Sequence, residues 1–319
     1  SAHPTNIIVF KCMDGRINLP LICNVPLGIL QPYRNIGGKF SLGDLGLRGA
    51  VKESVEKAQK EGRRTMILCT YHFAKGDHHR GCAGHKYDTK AAMEGAIRLK
   101  REFETAYGRD NQYVAAFVIG VETDNDALIF CRNGEEQFSM EDYARASDEA
   151  IKEKLYSTYE GRSHEMLRDL LPLALGNRDH VRKSLDNGRP AAELVHGENI
   201  IAVGRGFHWL HLPNRALIIG PFGSFDSSWR EAVTVAGSII QKNFADNKEL
   251  GKDGTLLLIS APYDEIEDRG LAVVGARFHA EVAKEALKQA ADLLQLRVLV
   301  GVTNMRTLKF EVLEDAAAS

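Results

Sequence analysis

The sequence predicts an α/β protein made of two homologous parallel-sheet halves in one chain, joined by a helical connector. Three observations carry this reading. Continuous β-branched apolar runs, NIIVFKC at residues 6–12 first among them, alternate with amphipathic helical stretches, as strands buried on both faces alternate with crossover helices. The β pattern lapses between about residues 135 and 195. It then returns with the same words in the same order.

Taken in order, residues 6–12 form the first strand, and a Gly- and Pro-rich loop follows. LGLRGAVKESVEKAQK (45–60) has apolar residues at helical spacing and leads through GRR into a second buried strand, TMILCTY, which completes a βαβ unit. A polar loop precedes the long amphipathic helix DTKAAMEGAIRLKREFETAY, and YVAAFVIGVE is a further strand. MEDYARASDEAIKEKL and HEMLRDLLPLAL are the helices of the connector, a spacing and packing element.

At an offset of 193, NIIVFKCMDGRINLP (6–20) is matched by NIIAVGRGFHWLHLP (199–213). PYRNIGGKFS is echoed by IIGPFGSFDS, the helix at 47–60 by WREAVTVAGSIIQKNF, TMILCTYH by LLLISAPY, the long helix by FHAEVAKEALKQAADLL, and YVAAFVIGVE by LRVLVGVTNM. Matches in one order over such a long period indicate a duplicated domain, not a solenoid. What differs is informative. Cys12 becomes Arg205, Asp14 becomes Phe207, Arg16 becomes Trp209 and His72 becomes Tyr263, and the second half has no cysteine. The apolar framework is kept while the polar cluster is lost, so folding alone does not require Cys12, Asp14 and Arg16. Phe207 and Trp209 read as core that fills a dead second site.

Composition narrows the function classes. With 41 Lys and Arg against 43 Asp and Glu, the formal charge is −2 and no block of like charges stands out, which argues against nucleic acid or a membrane surface as partner. No run of about 20 apolar residues exists and the first residues lack the regions of a secretory leader, so the expected location is cytoplasmic. Five cysteines, at 12, 23, 69, 82 and 131, are an odd number in a long chain, which favours free thiols or metal ligands over disulfides. Cys23, Cys69 and Cys131 sit in or beside apolar stretches and read as packing.

In an open parallel sheet, ligands sit beyond the carboxyl ends of the strands. Cys12 ends the first strand, His72 ends the second, and Cys82 lies in the following loop GDHHRGCAGHKYDT. Two thiolates and an imidazole suit a tetrahedral Zn2+ ion, and three protein ligands leave the fourth position open, as in catalytic zinc sites. Asp14 is either a fourth ligand or an acceptor for the bound water. Glycine at 37 and 38 would let backbone approach the site closely, or would simply make a turn.

Cys12-Met-Asp14-Gly-Arg16, Arg34-Asn35-Ile36-Gly37-Gly38 and a His and Cys pair after the second strand resemble the β-class carbonic anhydrases, whose pattern is C-x-D-x-R, R-N-x-G and H-x-x-C. The resemblance spans roughly residues 6–130. Duplication with one degenerate half, and a longer loop before the second cysteine, look more like the carboxysomal shell branch, in which one chain folds as a pseudo-dimer with one live site. H-x-x-C is met by His79 and Cys82, yet His72 stands at the strand end, where ordinary β-class enzymes take the ligand. His72 is therefore preferred as the ligand, with His79 as the alternative. His78, His79 and His85 then remain as loop donors, mouth residues or proton-transfer candidates.

The resemblance implies reversible hydration of CO2 to bicarbonate and a proton by zinc hydroxide. Asp14 would orient the hydroxide through a hydrogen bond, Arg16 would hold Asp14, and Gly37 and Gly38 would be candidates for substrate binding. It implies a catalytic half at 1–134, a connector at 135–195 and a degenerate half at 196–319 that completes the pseudo-dimer, with the CO2 pocket between the halves. It also points to association of pseudo-dimers into homo-oligomers and with a carboxysome-like shell. Whether Asp14 closes the site on zinc at neutral pH is left open. A hydrolase of carbonyl sulfide or carbon disulfide would present the same metal and Asp/Arg pair; a non-catalytic zinc-binding scaffold would need neither Asp14 nor Arg16 there.

Overall fold

A computed structural model describes residues 3–109, 111–134, 136–190, 194, 196–207, 214–221 and 227–317. The chain divides into two units: the first is Ser1–Cys12, Ile17–Tyr33 and Gly37–Leu194, the second Met13–Arg16, Arg34–Ile36 and Val195–Ser319. Each is built around a mostly parallel sheet.

The first sheet has β1 (Thr5–Cys12), β2 (Leu30–Asn35), β3 (Arg64–Phe73), β4 (Val114–Glu122), β5 (Ala127–Arg132) and β6 (Glu136–Ser139) in the order β2-β1-β3-β4-β5-β6. β1 runs parallel to β3, and β3 to β4; β5 and β6 are antiparallel additions. Every residue of β1 and β4 is buried, which is why these strands read as unbroken apolar runs. The helix Leu45–Lys60 starts at Asp44, whose carboxylate accepts from the Leu47 N–H, and buries Leu47, Val51, Val55 and Ala58. The helix Thr89–Tyr107 is capped by Asp88, which accepts from the Ala91 N–H, and packs Ala92, Ala96, Leu99 and Phe103 inward. Side-chain oxygens at these caps satisfy N–H groups that a helix start leaves over.

Two differences from the sequence reading have local causes. β5 and β6 were not expected, and β6 falls in the span read as all-helical. A tight turn with Asp126 at φ 57° returns the chain from β4 to β5, and the buried Glu122 carboxylate accepts from the Asp124 and Asn125 N–H groups at 2.8 and 3.0 Å to hold it. The connector's first helix begins at Asp148, not at Met140, because Ser147 caps it by accepting from the Ala150 N–H. Its second helix extends over His164–Asn187, well beyond the twelve residues read as helical. Asn177 on this helix is fully buried and serves three backbone groups: it accepts from the Leu128 N–H at 2.8 Å and donates to the Ile22 and Asp126 carbonyls at 2.9 and 2.8 Å.

The second sheet has β7 (Ile200–Gly204), β8 (Ala216–Ile219), β9 (Thr255–Tyr263), β10 (Leu296–Asn304) and β11 (Lys309–Ala317) in the order β11-β10-β9-β7-β8. Only the β10–β11 pairing is antiparallel. Read from the other edge, β8-β7-β9-β10-β11 repeats the order β2-β1-β3-β4-β5, as the internal sequence repeat requires. Within this unit Asp14 forms an isolated antiparallel bridge with Leu217, and Arg34 one with Gly220. Among the described residues, no helix is long and apolar enough to cross a membrane.

Candidate metal centre

The register of β1 on β3 pairs Phe10 with Cys69, and the Thr70 hydroxyl donates to the Phe10 carbonyl at 2.9 Å. This fixes the two strand ends side by side, with Cys12 closing β1 and His72 next to last in β3. Beyond β3 the chain makes short turns that return Cys82 to the same edge, just before the turn Ala83–His85. Cys12, His72 and Cys82 are 7%, 2% and 3% exposed, and one ligand atom from each lies within 4.8 Å of the others.

Among the described residues, both ring nitrogens of His72 are buried without a hydrogen-bond partner. Leaving two such nitrogens unsatisfied is costly, and a cation bound by one of them would remove part of that cost. Two buried sulfurs and one imidazole nitrogen match the donor set of Zn2+. The residues present therefore fit the metal that the fold and motif imply.

His79 is elsewhere. It belongs to a second, exposed group with Asp77 and His78, its Nδ1 3.3 Å from Asp77 and its ring 3.9 Å from that of His78. The Asp77 carboxyl is held below its ordinary value chiefly by the hydrogen bond from the His79 N–H. The remaining thiols are of another kind. Cys23, Cys69 and Cys131 are buried, and burial pushes all three thiols up, as expected of packing groups.

Asp14 and Arg16 form one rigid unit, 6% and 4% exposed. The Arg16 backbone N–H donates to Oδ1 of Asp14 at 2.9 Å, Nε lies 3.1 Å from Oδ1, and Nη2 donates to Oδ2 at 2.6 Å. The paired side-chain contacts form a charge-assisted fork that fixes the carboxylate plane. Arg34 is half-buried; burial, and then the charge of Arg205, push its guanidinium down to about 10. Arg205 holds the position that Cys12 holds in the first half. Phe207, the counterpart of Asp14, is buried in an apolar cluster with Ala202, Ala216, Ile218 and Leu258. Trp209 lies outside the described residues.

Gly37 and Gly38 take φ values of 62° and 63°, the left-handed region that favours glycine. A Cβ on Gly38 would stand 3.3 Å from the Cys12 nitrogen and 3.3 Å from the Lys11 carbonyl carbon, so the glycine approaches the end of β1 itself. The Gly37 carbonyl lies 3.0 Å from Nε2 of His85. Burial, the largest influence, holds the His85 ring below its ordinary value. Sequence reasoning gave His85 as a loop donor, mouth residue or proton-transfer candidate and missed this seat. A signal was present in Gly95, inside a helix where glycine is unfavourable: a Cβ there would stand 3.2 Å from the His85 ring.

A family model described as Carboxysome Shell Carbonic Anhydrase, catalytic domain, matches residues 44–172. That span includes His72 and Cys82 and begins after Cys12, Asp14 and Arg16. Among curated proteins, the carboxysome shell carbonic anhydrase of Halothiobacillus neapolitanus is 28% identical over 250 residues, covering 65% of this chain and 48% of that protein. That of Prochlorococcus marinus subsp. pastoris is 26% identical over 242 residues, covering 65% of this chain and 46% of its own. The chain thus spans about half the length of these relatives. These matches make the chain similar to the carboxysome shell carbonic anhydrases, in keeping with the repeated sheet order and the strand-end cluster already described.

Proposed function

We propose that this chain catalyses the reversible hydration of CO2 to bicarbonate and a proton, with Zn2+ held by Cys12, His72 and Cys82. The observation that carries the proposal is the buried group of two sulfurs and an imidazole whose nitrogens have no hydrogen-bond partner among the described residues. Such an ion, when bound, lowers the pKa of water to about 7 and so makes hydroxide available at neutral pH.

The chain's own residues do the rest. Asp14 follows Cys12 by two residues, so the covalent chain keeps their Cα atoms within about 7 Å. Its carboxylate is an acceptor whose plane Arg16 fixes at both oxygens, and it would take the hydrogen bond of the attacking hydroxyl and so orient the oxygen lone pair toward carbon. Arg16 acts as a positioning residue through Asp14. The backbone at Gly37 and Gly38 is the candidate substrate-facing surface, because glycine lets Gly38 approach β1 and Gly37 approach the His85 ring so closely. His85 stands against that backbone at Gly37 and is a candidate for moving the released proton.

In this reading residues 1–134 are the catalytic half, 135–195 the connector and 196–319 a half whose site has degenerated. Arg205 and the packed Phe207 support that last assignment, since neither offers a metal ligand. Shell association in a carboxysome-like compartment and assembly into homo-oligomers are proposed from the relatives' names and the family resemblance. Stopped-flow CO2 hydration by the zinc-loaded chain tests the activity. Turnover at pH near 7 or above 8.5 is the expected result, and none at either pH with zinc fully bound would contradict it.

A further inference from the structure

The segment between His72 and Cys82 carries a second group of side chains able to hold a metal. One ligand atom each from Asp77, His78 and His79 lies within 4.8 Å of the others. All three residues are exposed, the His79 side chain at 64% and that of Asp77 at 50%. None of them shares the buried cluster of Cys12, His72 and Cys82. One stretch of chain therefore serves two separate donor groups.

The spacing suits a small ion. Donors about 2.0–2.2 Å from a tetrahedral Zn2+ stand about 3.4 Å from one another. Nδ1 of His79 and Oδ1 of Asp77 are already 3.3 Å apart, and the rings of His78 and His79 lie 3.9 Å apart between centroids. Exposed side chains close the remaining gap by small χ rotations. Two imidazoles and a carboxylate are also the donors that borderline divalent transition metals prefer.

The turn that carries these donors is preorganised. Oδ1 of Asp77 accepts from the His79 N–H at 3.0 Å, while the Arg80 and Gly81 N–H groups donate to the Asp77 and His78 carbonyls, each at 2.9 Å. The root of the turn is held by Asp124, whose Oδ2 accepts from the Lys75 and Gly76 N–H groups at 2.9 and 2.7 Å. The Tyr87 ring meets that of His79 edge-on, with centroids 5.3 Å apart, and so limits its rotation. Less order must then be created when an ion binds. The Arg80 guanidinium opposes any cation here, at 3.9 Å from Oδ2 of Asp77 and 4.0 Å from Oδ1 of Asp124. That repulsion disfavours an ion held by charge alone and selects one held by bonds to imidazole.

We propose that Asp77, His78 and His79 form a second, solvent-open site for a divalent transition-metal ion of the Zn2+ class, with water completing its coordination. Imidazole donors favour such an ion over Mg2+, which takes oxygen ligands. The proposal rests on the assignment of His72, and not His79, to the buried ion.

The chain carrying one equivalent of zinc is dialysed to equilibrium against graded concentrations of Zn2+ and, in parallel, of Mg2+, and bound metal is counted per chain. A saturable second equivalent of zinc is expected, with magnesium far weaker. His78→Ala and His79→Ala should each weaken the second equivalent about tenfold or more, and Asp77→Asn, whose amide oxygen can still accept from the His79 N–H, should weaken it less. The first equivalent and the circular dichroism spectrum should match the parent in each variant, which separates a lost site from a lost fold. No saturable second equivalent, one whose affinity is unchanged in both histidine variants, or magnesium bound as tightly as zinc would overturn the proposal and leave the buried site standing. Loss of the first equivalent in His79→Ala would overturn the assignment of His72, and this proposal with it.

Discussion

Gly38→Ala perturbs the backbone beneath the candidate metal centre without replacing a proposed ligand. At φ 63°, alanine costs about 1–2 kcal/mol over glycine. Its Cβ would stand 3.3 Å from the Cys12 nitrogen, 3.3 Å from the Lys11 carbonyl carbon and 3.4 Å from the Thr70 carbonyl oxygen. All three are backbone atoms of paired strands that cannot swing aside, which adds about 1 kcal/mol. The lower entropy of the unfolded alanine chain returns about 0.4–1 kcal/mol. The net loss is about 1–2.6 kcal/mol, or about 2–10 °C in Tm for a unit of this size. Because the displaced atoms include the Cys12 backbone, zinc affinity should fall as well. Thermal unfolding by circular dichroism and competition with a chromophoric zinc chelator read the two effects. Gly38→Ala that unfolds at or above the parent temperature and holds zinc equally well would refute the close-approach argument.

Asn177→Ala strands three buried backbone groups and should destabilise the first unit by about 3–5 kcal/mol in urea unfolding; a loss below about 1 kcal/mol would mean that water replaces the amide. Asp14→Ala should retain a full equivalent of zinc while CO2 hydration falls by about a hundredfold or more. Cys82→Ala should lose both zinc and activity together, as read by metal analysis and stopped flow. Glu104 titrates below its ordinary value, so its stabilisation is complete above the ordinary carboxylate range and is lost as pH falls through the lowered value. Glu104→Gln should therefore cost stability at neutral pH, and the difference from the parent should narrow in acid.

The α/β architecture with two mostly parallel sheets was legible because the central parallel strands are largely buried on both faces and the crossover helices show one apolar stripe. β1 and the helix Leu45–Lys60 illustrate the two periods. The antiparallel strands β5 and β6 were not, since their pairing depends on the turn that Glu122 and Asp126 organise, and neither residue announces a turn in isolation. The internal repeat was the strongest functional signal, because it set the residues common to both halves apart from those found in the first alone. Burial and proximity of Cys12, His72 and Cys82 could be reasoned from strand ends. What a linear reading could not supply was the seat of His85 against Gly37, or the joint hold of Lys100 and Arg162 on Glu104. The first joins a side chain to a distant backbone carbonyl, and in the second Arg162 comes from a distant element to a Lys100–Glu104 pair on one helix.

The central claim is that the strand-end imidazole, not the loop one, completes the metal site. Its most direct test is the zinc stoichiometry of His72→Ala beside His79→Ala, each purified with the parent under the same conditions. The account predicts no stably bound zinc in His72→Ala and one equivalent in His79→Ala. One full equivalent in His72→Ala would contradict it.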